Sequence, residues 1–301
     1  MANAKEIKTR MNSVRDTQKI TNAMYLIAST KMRKAKVELD RTRPYFTALQ
    51  AEIKRIFRTA EDVESKYFYP ADGSPIPDKN CGCLVITSDK GLAGAYNQNV
   101  LKEARSFLAE QKDAKLFVVG EYGRQYFSQH NIPIERSFLY TAQNPTMQRA
   151  REISDILLGM FEKGELNKIF VIYTDWKNSL MEEAVSTRLL PFHRNQFTDN
   201  GTKQVAATFE FMPNIGGVLD TMMPSYISGF IYSALVDSFC SEQNARMTAM
   251  NAANQNAEKI LADLSVQYNR VRQAAITQEI TEVSAGAKAQ KKKHKREVSK
   301  T

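Results

Sequence analysis

Residues 230–285 read FIYSALVDSFCSEQNARMTAMNAANQNAEKILADLSVQYNRVRQAAITQEITEVSA, a stretch that contains neither glycine nor proline. Alternate steps of three and four residues from Val236 to Ala275 meet side chains that are mostly apolar or small, with two polar interruptions. A heptad stripe of this kind is the narrow seam of a coiled coil. The pattern predicts one long helix over about residues 219–285, and Gly286 stands where a glycine would end it.

The first 43 residues also lack any helix breaker, since the first proline is Pro44 and the first glycine lies later. Apolar residues recur at steps of three or four from Ile7 to Ile27, with one gap. This spacing predicts a helix over residues 4–43, extended to about residue 58 if Pro44 only kinks it. Neither terminal helix can bury its seam alone, because a helix this long cannot fold back on its own middle. We expect the two to pair in antiparallel fashion; the alternative is that each pairs with a second copy of itself.

The middle of the chain alternates short apolar strands with amphipathic helices. Strands are predicted at residues 83–87, 116–120 and 168–173, with a further one at 184–190. This interleaving is typical of a mainly parallel sheet, and about 130 residues suit one small doubly wound domain. The predicted fold class is α/β with long terminal helices: an antiparallel two-helix coiled coil plus a small Rossmann-like doubly wound central domain.

Charge follows the same division of the chain. Net charge is +9 over residues 1–58 and +6 over residues 288–301, so the stretch between them is mildly acidic. Basic ends favour an acidic partner, which is nucleic acid, lipid headgroups or an acidic protein surface. The densest basic cluster of the first helix, Lys31–Lys36, is either a solvated face or such a contact. No apolar run reaches the roughly 18 residues that a membrane span needs.

These patterns divide the chain into four segments. They are an N-terminal coiled-coil helix at residues 1–58, a central α/β domain at 78–200, a C-terminal coiled-coil helix at 214–286 and a basic tail at 287–301. The tail is expected to be disordered, because it is dense in like charges and poor in apolar residues. The N-terminus has no apolar core of a secretory signal, so secretion is not expected.

A glycine turn follows the first predicted strand and invites a nucleotide site, because doubly wound folds bind phosphates at this place. The turn has the spacing Gly91-Leu-Ala-Gly94, which is neither the dinucleotide fingerprint nor the phosphate loop, and Lys90 precedes the glycines. A tight turn that packs the domain against a partner is favoured. Cys81 and Cys83 lie too close together for a zinc half-site. We predict no catalytic residue, no cofactor and no metal site.

Several stretches then match one family. Gln18–Ala28 and Lys31–Ala35 resemble the N-terminal helix of the gamma subunit of rotary F-type ATP synthases, of the bacterial type. Thr87–Asn97 looks like the central-domain signature of that family. The strongest resemblance lies in Ser241–Met250 and Tyr268–Glu282, so the matches span most of the chain.

The resemblance implies a rotor. In this family the coiled coil turns inside the ring of alternating alpha and beta subunits, while the α/β domain lies outside it, near the epsilon subunit and the membrane c-ring. The subunit is not catalytic. It couples the translocation of an ion, proton or sodium, to ATP synthesis or hydrolysis on the catalytic beta subunits. One copy per complex is expected, peripheral on the cytoplasmic side of the cell inner (plasma) membrane, with no nucleic-acid partner.

By the same resemblance, nine positions match partner-contact residues of the family: Met24, Lys31, Lys34, Arg246, Arg272, Gln273, Thr277, Glu279 and Glu282. The first three would lie near an acidic lever segment of a beta subunit. Arg272 and Gln273 would hydrogen-bond a catch loop of one beta subunit, and the three residues that follow match neighbouring positions. Arg246 matches a position near Met24 across the coil.

The resemblance and the heptad spacing also predict a register. Antiparallel partners would have numbers that add up to about 271, so that Ile7 faces Leu264 and Val14 faces Ala257. Residues beyond about 272 would then project as a single helix.

A second class of function stays open at this point: a nucleotide-dependent α/β enzyme with a coiled-coil dimerisation arm. The two classes differ in what the purified chain does. The enzyme would bind a nucleotide by itself, whereas the rotor subunit would not, and would instead stimulate hydrolysis by its alpha and beta subunits.

Overall fold

The computed structural model describes residues 4–59, 65–70, 76, 79–139, 142–178, 181–193, 211–212 and 214–298. Within these residues five helices and five strands follow one another as α1 Ala4–Thr59, β1 Cys81–Ile86, α2 Tyr96–Glu110, β2 Lys115–Val119, α3 Glu121–Gln129, β3 Arg136–Phe138, α4 Met147–Glu162, β4 Lys168–Asn178, β5 Met181–Leu190 and α5 Ile215–Val298.

The chain divides into two compact units. The first consists of Met1–Leu26 and Met250–Thr301, and the second of Ile27–Ala249. Each terminal helix contributes to both units, because α1 continues through Pro44 and α5 continues through Pro224. The longer of the two predicted lengths for the N-terminal helix is therefore the one observed.

A five-stranded sheet forms the centre of the second unit, with its strands in the order β3-β2-β1-β4-β5. β1 pairs in parallel with β2 and β4, and β2 pairs in parallel with β3. β5 is antiparallel to β4. The mainly parallel sheet confirms the prediction. The strand β3 was not predicted, because three residues are too few to show a strand pattern.

Alternate side chains of the central strand β1 face different layers of the second unit. Leu84 and Ile86 belong to a buried cluster that includes residues of α1, α4 and α5. Cys83 and Val85 belong to a separate buried cluster with residues of α2 and α3. Helices thus cover both faces of the sheet, as a doubly wound domain requires, and β1 is buried along its whole length.

The helix α5 does not end at Gly286, as the sequence predicted, but continues to Val298. A single exposed glycine inside a helix costs only about 1 kcal/mol relative to alanine. The residues that follow are rich in alanine, lysine, glutamine and arginine, all of which favour helix. The helix therefore includes most of the segment 287–301, for which the composition predicts disorder.

Gly120, between β2 and α3, has a backbone conformation that residues with a side chain rarely adopt. Its φ is +96°, and a Cβ at this position would overlap the carbonyl oxygen of Thr87 and lie 2.7 Å from that of Ser88. Gly120→Ala is therefore expected to lower the free energy of unfolding by more than about 3 kcal/mol. Urea unfolding followed by the fluorescence of Trp176 on β4 measures this change.

The matched control is Gly159→Ala in α4, where an added Cβ would meet nothing within 4 Å. This substitution is expected to raise the free energy of unfolding by about 0.5–1 kcal/mol, because alanine favours helix over glycine. Similar losses of stability in the two variants would contradict the argument from Gly120.

Candidate functional site

In the first unit, the two terminal helices pack against each other along an apolar seam. Ile7 and Met11 of α1 form a buried cluster with Leu264 of α5. Partly buried neighbours extend this cluster along both helices: Val14, Leu261, Tyr268 and Val271. The small residue Ala257 on α5 is also buried. The seam predicted from the heptad stripe is thus formed within one chain, and self-pairing of each helix is not needed to bury it.

Side-chain hydrogen bonds fix the direction and the register of this helix pair. Gln18 Nε2 donates to Glu258 Oε1 at 3.4 Å, and Thr21 Oγ1 donates to Asn254 Oδ1. The partner number in α5 falls as the number in α1 rises, so the helices are antiparallel, as predicted. The paired numbers add up to 276 and 275. These two polar pairs lie four to five residues, about one helical turn, from the predicted sum of about 271, whereas Ile7 and Leu264, whose numbers add up to 271, share the buried cluster.

Beyond Val271 the helix α5 has no lateral partner among the described residues. Val271 is partly buried, whereas every side chain from Arg272 to Lys288 is exposed. The expectation of a single projecting helix from about residue 272 is confirmed. We refer to residues 272–288 as the lone helix. Five of the nine residues matched to the family lie on it: Arg272, Gln273, Thr277, Glu279 and Glu282.

The lone helix combines polar residues with an apolar stripe. Thr277 Oγ1 donates to the carbonyl oxygen of Gln273 at 2.9 Å, so this hydroxyl is used within the helix. Ile276, Ile280 and Val283 are 46%, 65% and 74% exposed. Their spacing of four and three residues places them on one side of the helix. Exposed apolar stripes are typical of surfaces that contact other proteins, so this side of the lone helix is a candidate contact surface.

The three matched residues of α1 differ in burial. Met24 is half-buried in the first unit, whereas Lys31 and Lys34 are exposed in the second. Among the residues that the structure describes, neither lysine has an acidic side chain within ion-pair distance. These two charges are therefore available to an acidic partner, and the alternative of a solvated face remains for the free chain.

Arg246 is largely engaged within the chain. Its Nη2 donates to the carbonyl oxygens of Lys90 at 3.3 Å and Gly91 at 3.1 Å, both in the glycine turn. It also pairs with Glu242 one helical turn earlier, at 2.5 Å, and both side chains are at most about a tenth exposed. Arg246 thus fastens the turn to α5. The sequence predicted that the turn packs against a partner, and the observed contact is with the chain's own helix.

Burial of the Arg246–Glu242 pair shifts the pKa of Glu242. It raises the pKa of Glu242 above its usual value, although the nearby Arg246 acts in the opposite direction. Desolvation of a buried carboxylate therefore outweighs its ion pair here. Neutralising Arg246 would leave Glu242 buried and uncompensated.

The chain's own atoms cap the N-terminus of α3, the helix that follows β2 and lies beside the glycine turn. At the start of α3, the backbone N–H of Glu121 donates to Asp89 Oδ1 at 2.9 Å, and that of Gly123 donates to Thr87 Oγ1 at 3.0 Å. Helix N-terminal N–H groups are the donors that hold phosphates. A carboxylate at the start of α3 repels a phosphate there as well as competing with it. The glycine turn itself leads into α2, whose N-cap residue Ala95 makes no side-chain hydrogen bond to the helix.

Comparison with known proteins gives one family. A family model described as ATP synthase matches residues 3–290. The ATP synthase gamma chain of Acetivibrio thermocellus is 39% identical over 297 residues, which cover 97% of this chain and 100% of that one. The gamma chain of Caldanaerobacter subterraneus subsp. tengcongensis is 41% identical over 292 residues, covering 94% and 98%.

A solved structure with a similar fold comes from the mitochondrial ATP synthase of Euglena gracilis, described as OSCP/F1/c-ring in rotational state 3. The TM-score is 0.65 and the sequence identity is 14%, over 95% of this chain and 94% of that chain. At this identity the likeness concerns the fold.

The buried contact of Arg246 predicts a pH-dependent loss of stability. Arg246→Ala is expected to lower the free energy of unfolding by about 3–5 kcal/mol at about pH 8, because it leaves a buried carboxylate unpaired. The loss is expected to shrink at about pH 5. In the folded variant the pKa of Glu242 is raised, so this carboxylate takes up a proton at a pH at which the same residue is still ionised in the unfolded chain. Urea unfolding at the two pH values, followed by circular dichroism, measures both effects.

Arg272→Ala is the control, since this arginine lies on the lone helix with an exposed side chain. It is expected to leave the unfolding midpoint unchanged at both pH values. An Arg246→Ala variant that behaves like this control, or whose loss of stability is the same at both pH values, would contradict the assignment of a buried pair.

Proposed function

Because this chain belongs to the ATP synthase gamma-chain family, we propose that its paired terminal helices and its lone helix make the contacts to the alpha and beta subunits. Its function is that of the central-stalk rotor, a non-catalytic subunit of a membrane-bound complex. Among the described helices, none combines the length and the apolarity that crossing a membrane requires.

The observation that carries the proposal is the intramolecular antiparallel seam that stops at Val271 and leaves every side chain of the lone helix exposed. A helix with its side chains is about 10–12 Å wide, so a single helix occupies a narrower bore than a pair. Rotation couples to nucleotide affinity only if the contacts differ from one beta subunit to the next, because a partner shifts an equilibrium only by its differential interaction. A helix pair whose sides carry different residues makes a different contact with each beta subunit.

The lone helix is proposed to contact the ring of alpha and beta subunits in two ways. The stripe of Ile276, Ile280 and Val283 would be covered by apolar side chains of the ring, which removes its exposed area from water. Arg272 and Gln273 would donate hydrogen bonds to a loop of one beta subunit. An arginine suits this role because its planar guanidinium offers several fixed donors. Thr277, Glu279 and Glu282 lie within the same exposed segment.

Lys31 and Lys34 are proposed to face an acidic segment of a beta subunit, with Met24 nearby. Support comes from their exposure, from the lack of an acidic neighbour in the described part of the chain and from the net charge of +9 over residues 1–58. Charges at the edge of an interface mainly set its specificity and its rate of formation. Arg246, by contrast, is proposed to act through the position of the glycine turn that it holds.

The four segments predicted from the sequence are proposed to have the following roles in the complex. The helices at 1–58 and 214–286 would form the shaft, and the α/β domain at 78–200 would meet the epsilon subunit and the c-ring. The tail at 287–301 would extend the shaft. One copy per complex would lie peripherally on the cytoplasmic side of the plasma membrane, and the translocated ion would be a proton or sodium.

Reconstitution tests the proposed function directly. The purified chain is expected to stimulate ATP hydrolysis when it is mixed with the alpha and beta subunits of a gamma-chain relative, and to bind no ATP by itself. Hydrolysis is measured by phosphate release, and binding by equilibrium dialysis. The chain alone binding ATP at micromolar concentration, with no stimulation of the alpha and beta mixture, would favour the nucleotide-dependent enzyme instead.

The basic face of α1 gives a second test in the assembled complex. Lys31→Glu combined with Lys34→Glu is expected to reduce ATP-driven ion pumping by at least about threefold, because two repulsive charges would face an acidic segment. Raising the salt concentration should recover part of the loss, since exposed charges are screened.

Lys102→Glu is the matched control, because Lys102 is an exposed lysine on α2, outside the proposed contact. It is expected to leave pumping unchanged. If the control and the double variant lose pumping equally, or if the double variant unfolds at lower urea than the parent, the proposed contact of Lys31 and Lys34 is wrong.

A further inference from the structure

A cleft of about 450 Å³ lies in the second unit where α1, β4 and α5 meet. We call it the α1–β4–α5 cleft. Its walls include four aromatic side chains: Phe46, Trp176, Tyr226 and Phe230. Sites for small molecules have volumes of roughly 300–1,000 Å³ and are mostly apolar, with a few polar groups that converge on the ligand. The cleft has this size, but its wall is more polar, since polar or charged residues are eight of the 14 that line it. None of the nine matched residues is among them.

Two carboxylates of the cleft lie on different elements and act on each other. Asp237 belongs to α5 and Asp175 to β4. Burial, and the negative charge of Asp175, raise the pKa of Asp237 to about 7. In the described part of the chain no lysine or arginine lies within ion-pair distance of either carboxylate. This pair of carboxylates is therefore short of positive charge.

The remaining charged groups that face Asp237 come from α1. They are Lys36, Asp40 and Arg43, all exposed at the rim of the cleft. Arg43 lowers the pKa of Asp237 in part, from beyond ion-pair distance, and Ser233 of the same helix donates to Asp237 Oδ2 at 3.5 Å. With Asp237 ionised, the three carboxylates outnumber the two cations, so the cleft favours a positive occupant.

The aromatic wall already holds one cation. The ammonium of Lys36 lies 5.0 Å from the centre of the Trp176 ring, at the distance of a cation–π contact. The Trp176 Nε1 atom is buried, and within the described residues it has no hydrogen-bond partner. The ring of Trp176 thus already makes a cation–π contact within the chain.

We propose that the α1–β4–α5 cleft binds a small organic cation, an amine or amidine carried on a flat apolar body. The cationic group pairs with Asp175 and Asp237, and the apolar body lies against the aromatic wall. Lys36 is the internal competitor for this position. The site lies within Ile27–Ala249, and its existence does not depend on the rotor function.

The single tryptophan of the chain makes the test direct, because Trp176 is in the wall of the cleft. The probe is 2-phenylethylamine, titrated into the full chain while tryptophan fluorescence is recorded. A saturable change is expected. The neutral analogue 2-phenylethanol, of nearly the same shape, is expected to bind at least about tenfold more weakly, since it lacks the charge. Equal midpoints for the amine and the alcohol would overturn the proposal.

Two variants test the roles of the charged groups. Asp237→Asn keeps the shape of the side chain and is expected to weaken binding of the amine by at least about tenfold. The control Asp113→Asn, at an exposed turn, is expected to leave the midpoint of the titration unchanged. Lys36→Met removes the competitor and is expected to tighten binding by at least about threefold. An unchanged midpoint in Asp237→Asn overturns the proposal. If that variant does not fold, weaker binding in Lys36→Met overturns it instead.

The pH dependence follows from the same arrangement. Asp237 loses its proton as the pH rises through about 7, so the amine is expected to bind more tightly at about pH 8 than at about pH 6. The Asp237→Asn variant should lose this dependence. Tighter binding at the lower pH would contradict the pairing of the amine with Asp237.

Discussion

The structure depends on the burial of one apolar stripe on each terminal helix against the other. Helices of this length gain little from intrinsic propensity and need a packed face to persist in water. The seam around Ile7, Met11 and Leu264 supplies that face within a single chain. Because the partner is the same molecule, pairing does not vary with protein concentration. The polar pairs Gln18–Glu258 and Thr21–Asn254 then set its register.

A second constraint links the glycine turn to the C-terminal helix. The guanidinium of Arg246 donates hydrogen bonds to two carbonyl oxygens of the turn and forms an ion pair with Glu242. The side chains of Arg246 and Glu242 are both nearly buried. Around the same turn, Asp89 and Thr87 satisfy the first N–H groups of α3. The loop after β1 is thereby joined to both α3 and α5. A doubly wound sheet serves here as a support, which agrees with the non-catalytic role of the family.

The long elements could be predicted from the sequence because glycine and proline are missing where the helices run and apolar residues recur at helical spacing. The core strands β1, β2 and β4 were visible as apolar runs between helices. The three-residue β3 carries no such pattern. The end of α5 was misplaced because Gly286 is exposed, where a glycine weakens a helix without having to end it.

The polar pairs of the helix seam and the contacts that Arg246 makes within the chain could not be predicted from the sequence, for other reasons. A heptad stripe is compatible with more than one axial position, so side-chain hydrogen bonds, and not the stripe, decide between them. The resemblance placed Arg246 among the partner contacts, whereas its donors meet carbonyls 155 and 156 residues away in the chain. One signal was available: Glu242 and Arg246 are four residues apart in a helix, a spacing at which opposite charges pair.

The exposure of the lone helix has a consequence for how firmly it can be held. Without a lateral neighbour, its terminal turns are retained only by their own backbone hydrogen bonds, and such segments open locally at little free-energy cost. A ring that closed around it, as proposed, would also restrict these local openings and the side-chain rotamers of 17 exposed residues. This loss of conformational entropy would offset part of the free energy gained from contact, so the helix would be bound less tightly than its covered area alone implies. Weak binding of this kind would let the helix rotate within the ring with little resistance.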